Sequence, residues 1–555
     1  MRQPPPGRRL LGLAGLALGP VLVLVVFFVV PVVGMLGLGL RPEGRFDIGA
    51  VLDVLSRPRT GRVVWFTAWS AAVATTASVV LGLPAAYALS RLDFPGRRLI
   101  RALLLVPFVL PTVVVGVAFG ELLGESGPLA RISGGQGLVG TPVAIIAGLT
   151  FFNVAVVIRT VGASWESLDR RTGEAAAALG ASPARVFWTV TLPALRPSIV
   201  SAASVVFLFC ATSFGVVLTL GGVRYSSVET EIYLLTTNLL DLPAAAALSI
   251  LQLLAVLALL GLAARLRVGA QASPGREVVR PQPISRSDLV PVAATGLLLV
   301  LIAAPVGALV AGSLRVADGG WGLANYRGLD EAESGQALLV PVTEALGTSL
   351  RTAVDATWMS LLLGGLVAVV VTQRSRGRTE QRVRGVLDGL FMLPLGVSAV
   401  TLGFGFLITL DEPPLNLRDS PLLVPIAQAL VALPLVVRTL APVLGSIDDR
   451  QRQAAASLGA GPLRVLATVD LPIVWKPFVA AAGFAFAVSL GEFGATSFLA
   501  RDEHPTLPVV IFALIGRPGA ANYGMALAAS VVLAATTAAV MLAVERLRVP
   551  SVGGF

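Results

Sequence analysis

The 555-residue chain has one cysteine, one histidine and one lysine, and only 13% of its residues are charged. Cys210 can form no disulfide within the chain, so cysteine usage indicates no redox compartment. His504 alone supplies neither a histidine-rich metal site nor a hydrolase triad. A P-loop needs a lysine after a glycine-rich turn, whereas Lys476 follows Trp475 and no such pattern precedes it. We therefore expect no ATP hydrolysis by the usual route and no cofactor in this chain.

Apolar residues, in contrast, are abundant: they make up 55% of the chain, and the mean hydropathy is +0.83. Residues 10–40 and 63–90 are runs without a charged side chain. About 20 helical residues cross the ~30 Å hydrocarbon layer of a bilayer. The runs are apolar throughout and do not alternate, which favours helices over the strands of an outer-membrane barrel. The sequence therefore predicts an all-α polytopic membrane protein.

The basic residues are distributed as a membrane protein requires. A net charge of +10 would suit a nucleic-acid partner, but the arginines form short clusters between apolar runs and do not form one basic face. We therefore expect contacts with lipid and none with nucleic acid. Arg8 and Arg9 precede an uncharged run that is too long for a signal peptide and lacks a small-residue cleavage site. That run predicts a first spanning helix with a cytoplasmic flank.

The apolar runs predict about twelve transmembrane helices in two sets of six. They lie near residues 10–39, 63–90, 99–123, 138–159, 197–221, 243–264, 289–312, 347–372, 383–410, 421–445, 477–499 and 521–544. Residues 269–288 are rich in Pro, Arg and Ser and predict a linker between a first half, 1–268, and a second half, 289–555. Positive residues collect on the side of the N-terminus, so both termini and the linker are expected on the cytoplasmic side of the cell membrane.

The two sets of spans repeat each other at a constant offset of 279 residues. Residues 174–180 read EAAAALG and residues 453–459 read QAAASLG, and Phe214-Gly215 recurs as Phe493-Gly494. Such a repeat indicates duplicated structural units. An even number of spans gives both halves the same orientation, so they can pair about a pseudo-two-fold axis along the membrane normal.

The repeated segments, 159–196 and 438–476, are predicted cytoplasmic loops built as helix, turn and helix. Gly180 suits the C-terminal cap of an alanine-rich helix that has Glu174 in its first turn. Ser182 can cap the next helix, with Pro183 at its first position. Pro193 is expected to break that second helix.

These loops resemble the EAA loop of binding-protein-dependent ABC import permeases, which we use as their name. The resemblance implies the type I ABC importer permease architecture and a loop that seats in a groove of a separate ATPase subunit, where ATP is bound. The coupling residues that it assigns are Glu174, Ala175, Ala176, Gly180 and Pro193, and in the second copy Gln453, Ala454, Ala455, Gly459 and Pro472. Gln453 departs from the usual glutamate, which puts an ionic contact there in doubt. Two loops imply two ATPase protomers, and the family implies an extracytoplasmic substrate-binding protein.

Three further segments resemble thiamine and ferric-iron permeases in particular. They are residues 212–222, 229–233 and 489–494, the last taken with Thr506-Leu-Pro508. The first of them leans towards thiamine, but both substrates stay open. The alternative function is a twelve-span secondary transporter, which would need membrane-embedded titratable residues, and the spans offer little beyond Glu492.

Four residues are candidates for the translocation path because the two-fold axis would bring them together. They are Ser213 and Phe214 of the first half and their repeat mates Glu492 and Phe493. A carboxyl group inside a bilayer is costly and usually faces a pathway or a partner. Helix packing, or a side chain that reaches the periplasmic end, remains open as the other explanation.

Overall fold

The computed structural model describes residues 6–41, 44–130, 134–222, 224–267, 281–316, 319–330, 340–372, 378–411, 416–501 and 503–547. Residues 269–280 of the predicted linker lie outside these ranges. Within the described ranges, ten helices are long and apolar enough to span a membrane: Gly15–Leu40, Pro58–Arg91, Pro142–Ser167, Pro183–Ala211, Leu242–Ala263, Arg286–Ser313, Val342–Thr372, Leu423–Ser446, Leu466–Leu490 and Ala520–Val544.

The two remaining predicted spans, 99–123 and 383–410, are not single helices. Arg97–Val109 and Thr112–Leu123 meet at 104°. The bend falls at Pro111, and Leu110 before it is extended, as the residue before a proline prefers. The second-half counterpart consists of Arg378–Met392, a 3₁₀ turn at Leu393–Gly396 and Ala399–Thr409. Hydropathy does not detect such a break, because the residues on both sides of it are apolar.

Shorter elements connect and cap the spans. The other α-helices are Ile48–Ser56, Arg170–Ala178, Gly215–Leu220, Val228–Thr237, Ala324–Arg327, Asp449–Ser457, Thr496–Leu499 and Leu507–Ile515. Two short strands, Leu92–Asp93 and Gln282–Pro283, pair in parallel. The Tyr87 hydroxyl donates to Asp288 Oδ1 at 2.6 Å close to this pairing. The chain entering the second half is thus fixed to the C-terminal end of Pro58–Arg91.

Pro193 does not break its helix, so that part of the sequence prediction is wrong. The α-turn Pro183–Val186 passes through a π-helical segment, Phe187–Thr191, into the α-helix Leu192–Ala211. The second half repeats this arrangement with Pro462–Val465, Leu466–Asp470 and Leu471–Leu490, which places Pro472 in the same position. A π-turn alters the i→i−4 ladder and so accommodates a proline without ending the helix.

Each half contains the same pair of packed spans, and the first span of each half packs on the other half. Pro58–Arg91 packs along Pro142–Ser167 in the first half, as Val342–Thr372 packs along Leu423–Ser446 in the second. The first span, 15–40, also packs on Val342–Thr372 and Ala399–Thr409 of the other half. Reciprocally, Arg286–Ser313 packs on Pro58–Arg91 and Thr112–Leu123. One buried apolar cluster, which includes Phe214, Phe404 and Phe493, continues across both halves.

Candidate functional site

The first EAA loop forms two helices that meet at a left-handed glycine. Asp169 begins the first helix, because its Oδ1 accepts a hydrogen bond from the Arg171 N–H at 2.9 Å. Gly180 has φ +86° and follows the last turn of Arg170–Ala178, which confirms the predicted C-terminal cap. Ser182 Oγ accepts from the Arg185 N–H at 3.4 Å and Pro183 opens the next helix, as predicted.

The second EAA loop has the same backbone. Asp448 Oδ1 accepts from the Arg450 N–H at 2.9 Å, and Gly459 also has φ +86°. At the first turn, the N–H groups of Gly180 and Ala181 donate to the carbonyls of Ala177 and Ala176 at 2.9 and 3.1 Å. At the second, those of Gly459 and Ala460 donate to Ala456 and Ala455, both at 3.1 Å. The duplication therefore extends to hydrogen-bond geometry.

Each turn presents an apolar side chain to its surroundings. Leu179 is 90% exposed and its repeat mate Leu458 is 89% exposed. A leucine this exposed on a loop rich in charge covers no part of this chain's own core, and such exposed apolar groups mark contact sites when they cluster. Trp188 and Leu466, in the π-helical segments that follow, are exposed as well. Both loops thus offer a leucine beside a fixed turn, which is a surface that a partner groove can bind.

The two EAA loops differ in charge. Glu174 and Gln453 are both exposed at equivalent positions. Glu174 is the fifth residue of Arg170–Ala178 and lies in the second turn, so the predicted first-turn location and its interaction with the helix dipole are wrong. In the second loop, Arg452 Nε bonds Asp470 Oδ1 at 2.8 Å, whereas Gly173 and Thr191 occupy these positions in the first loop. The second loop is braced by an ion pair that its counterpart cannot form.

The candidate path residues lie at breaks, not within spans. The helix Leu192–Ala211 ends before Ser213 and Phe214, and Leu471–Leu490 ends before Glu492 and Phe493. The predicted spans 197–221 and 477–499 therefore end early, and short helices follow at Gly215–Leu220 and Thr496–Leu499. Non-helical backbone at this depth is tolerated where protein buries it.

Glycine permits the close approach of each break to the start of a neighbouring helix. A Cβ at Gly215 would collide with Thr112 Oγ1. A Cβ at Gly494 would lie 2.9 Å from the Ala399 Cβ. Thr112 and Ala399 begin the helices that follow the bends of the two broken spans. The two halves thus build the same contact with different side chains.

The structure brings the repeat mates Phe214 and Phe493 together. Their ring centroids are 5.3 Å apart and their planes are inclined by 24°. Tyr233 lies 5.3 Å from Phe214, and its own repeat mate Phe512 lies 5.4 Å from Phe493. Phe498 adds a fifth ring, 5.4 Å from Tyr233. A residue can touch its own repeat mate only at the symmetry axis, so this aromatic cluster lies on the pseudo-two-fold.

The carboxyl group of Glu492 accepts hydrogen bonds from residues that follow it in the chain. The N–H groups of Ala495 and Thr496 donate to its two carboxyl oxygens at 2.7 and 3.0 Å, and the Thr496 hydroxyl donates at 2.5 Å. These bonds cap the short helix that begins at Thr496. Its repeat mate Ser213 offers no carboxyl, so the two breaks differ in charge. The role of these residues in a path stays a prediction.

Sequence reasoning did not find Leu179, Leu458 or the ring contacts of Tyr233 and Phe512. A signal existed for all four residues. Each leucine precedes a capping glycine in both copies, and Tyr233 and Phe512 are separated by the repeat offset of 279. The repeat pattern does not indicate that the two leucines are exposed, or that Tyr233 and Phe512 lie close to the symmetry axis.

The fold and both sites match a known family. The model of the family described as "Binding-protein-dependent transport system inner membrane component" matches residues 78–268 and again residues 360–548. Each match includes one EAA loop and one break of the aromatic cluster. The duplication seen in the sequence is therefore a duplication of one family unit.

Several curated relatives are similar over most of their length. A thiamine transport system permease protein from Brucella abortus (strain 2308) is 30% identical over 486 residues, which is 85% of each chain. That from Escherichia coli (strain K12) is 28% identical over 465 residues, 82% of this chain and 83% of its own. That from Haemophilus influenzae (strain ATCC 51907 / DSM 11121 / KW20 / Rd) is 24% identical over the same share.

Proposed function

This chain belongs to the family of binding-protein-dependent transport system inner membrane components, as the permease of an ATP-driven importer, and we propose that its substrate is thiamine. It is a multi-pass inner-membrane transport component and not an enzyme, and it works with an ATPase and a substrate-binding protein. Family membership removes the alternative of a secondary transporter. Thiamine is favoured over ferric iron because thiamine permeases match 82–85% of this chain.

One observation supports the proposed coupling most strongly: the two EAA loops have the same backbone and the same exposed leucine. Leu179 and Leu458 each follow an alanine-rich helix and precede a glycine at φ +86°. Two docking surfaces with the same backbone suit two copies of one partner. We therefore propose that one chain binds two ATPase protomers, that these bind the ATP, and that the coupling residues named above make the contact.

The proposed orientation follows from the same assignment. Both EAA loops, both termini and residues 269–288 belong to the cytoplasmic side, where the arginine clusters collect. We further propose that residues 1–268 and 289–555 are the two functional halves. The breaks and the aromatic cluster then lie between the halves, where a substrate handed over by the binding protein has to pass.

The substrate is tested by uptake of radiolabelled thiamine into proteoliposomes. The permease is reconstituted with its ATPase and supplied with binding protein and ATP. We expect accumulation of thiamine that needs all three components. Accumulation of ferric iron in place of thiamine, or of neither, would refute the proposed substrate. The ratio of ATPase to permease in the same preparation tests the stoichiometry, and a ratio of one would refute it.

A further inference from the structure

A second buried carboxyl group, outside the predicted path residues, lies close to the aromatic cluster. Glu229 is at the start of Val228–Thr237 and is fully buried. The Ser398 hydroxyl donates to its Oε2 at 2.9 Å, and the Gln252 amide donates to its Oε1. Ser398 belongs to the second half and Gln252 to the first, so the carboxyl group of Glu229 lies where the halves meet.

Glu492 lies close to the start of the helix Ala399–Thr409, which Ser398 precedes. Ser398 caps the helix Ala399–Thr409, and Gly494, two residues after Glu492, packs against the Ala399 side chain. The two carboxyl groups therefore flank the start of one helix. No ion pair joins either of them to a basic side chain within the ranges that the structure describes.

Among the described residues, no positively charged side chain pairs with this arrangement. The Gln252 Oε1 is buried and accepts no hydrogen bond from any described residue, although the same amide donates to Glu229. Rotating the amide would turn its oxygen towards a carboxyl oxygen, so the present orientation is the favourable one. Three buried acceptor oxygens, the two of Glu229 and the Oε1 of Gln252, thus lie together. Burying carboxyl groups without a cation is costly in a membrane and is a mark of function.

Glu231, two residues further on, shows what a purely structural carboxyl group looks like in this helix. It is also buried, but Arg59 binds both of its oxygens, at 2.5 and 3.0 Å. A buried glutamate on this helix can therefore be paired with an arginine from a neighbouring helix of the same chain. Glu229 receives none within the described residues.

Aromatic faces complete the site. Tyr233 lies four residues after Glu229, on the same face of the helix. Its ring contacts Phe214 and Phe498, and Phe214 stacks on Phe493. Aromatic faces attract organic cations through the ring quadrupole, and most strongly when the cation is desolvated. Buried carboxyl groups close to aromatic rings suit a flat cation with a quaternary nitrogen.

We propose that Glu229, Gln252 and Glu492, together with the rings of Phe214, Phe493 and Tyr233, form a site that stabilises a cationic substrate as it passes between the halves. This inference rests on the proposed function, because the thiazolium ring of thiamine carries a permanent positive charge and is planar. In the arrangement seen here Phe214 and Phe493 stack on each other, and Tyr233 is tilted against Phe214. Separation of the halves exposes their faces to the substrate.

The test compares thiamine with its uncharged thiophene isostere, using the purified permease–ATPase complex without binding protein. Direct binding of each radiolabelled compound is measured by scintillation proximity. We expect the wild-type complex to prefer thiamine by about tenfold, and Glu229→Gln and Glu492→Gln to reduce that preference to about twofold or less. A purely structural defect would lower the binding of both compounds equally and would overturn the proposal.

Glu231→Gln is the matched control, since it removes a buried carboxyl group from the same helix. Arg59 is half exposed and stays hydrated without it, so the preference for thiamine should persist. Loss of the preference in Glu231→Gln as well, or failure of Glu229→Gln and Glu229→Asp to accumulate in membranes, would show a folding role and overturn the proposal. Thiamine uptake by the wild-type protein tests the proposed function separately. If the wild type imports thiamine and the Glu229 variants keep the wild-type preference for thiamine, only this inference is refuted.

Discussion

Phe214 and Phe493 are separated by 279 residues in the sequence and stack ring to ring in the structure, 5.3 Å between centroids. Both side chains are buried, and each follows the end of a span at the same point of its half. Stacked aromatic rings of this kind are stabilising beyond the area that they bury. The contact therefore closes the interface between the halves at the axis.

Joining the two positions should prevent transport. In a Cys210→Ala background, Phe214→Cys and Phe493→Cys are combined and treated with a short bifunctional maleimide. If the halves have to separate at the axis, thiamine uptake falls to background in the cross-linked protein, well below the uptake of the same double variant before treatment. Each treated single cysteine variant lacks one ring of the proposed site and should be slower than wild type, but it should still transport thiamine. A cross-linked transporter that works at its untreated rate would contradict this.

The turn glycines should tolerate no β-branched side chain. Gly180 and Gly459 have φ +86°, and no atom of the described residues lies within 4 Å of the position that a Cβ would take at either, so the expected penalty is backbone strain. Gly180→Val and Gly459→Val each strain the turn by about 1–2 kcal/mol and should abolish transport without affecting membrane insertion. Uptake and immunoblots of membranes measure the two effects. Full transport by Gly180→Val would remove the coupling role of this loop.

The exposed leucines should contribute directly to ATPase docking. Leu179→Asp or Leu458→Asp replaces an apolar contact by a charge and should weaken binding by about 2 kcal/mol, or roughly thirtyfold in Kd. Co-purification of the ATPase with the permease checks this. Leu179→Met, which keeps the apolar area, is the control and should bind normally. Undiminished co-purification with both aspartate variants would show that the leucines lie outside the interface.

The two EAA loops should differ in their sensitivity to loss of the first motif residue. Glu174 is charged and can pair with a basic partner residue, whereas Gln453 offers neutral hydrogen bonds. Glu174→Ala should therefore weaken ATPase docking by about threefold, and Gln453→Ala by less. The comparison is made by titrating the ATPase against each immobilised variant in low and high salt. Equal losses in both variants would remove the asymmetry.

Orientation is checked by labelling single cysteines with a reagent that does not cross membranes. A cysteine at Ala181 or Gly461 should react only when the cytoplasmic side is accessible. Gly335, on a predicted external loop, lies outside the described residues. The exposed Leu240, between the predicted spans 197–221 and 243–264, is a second position expected on the external side. Native Cys210 is buried and should stay unlabelled. Reaction of Ala181→Cys from outside intact cells would reverse the topology.

The sequence by itself determined the approximate positions of the ten unbroken spans that the structure describes, the duplication and the turn geometry of the EAA loops. Long apolar runs admit only helices in a bilayer, and a repeat at constant offset requires duplicated structure. Gly180, Ser182 and Pro183 act within one or two turns of backbone, so residue type alone decides what they do.

Only the tertiary structure decided where spans bend, which helices exchange between halves and which residues meet at the axis. The breaks at Pro111 and before Phe214 lie within runs that are apolar on both sides, so hydropathy does not change across them. Pro193 remains within its helix because a π-helical segment accommodates it. The presence of a proline in the sequence does not predict such a segment. Phe214 meets Phe493, and Glu229 meets Ser398, because packing brings together segments that no local pattern connects.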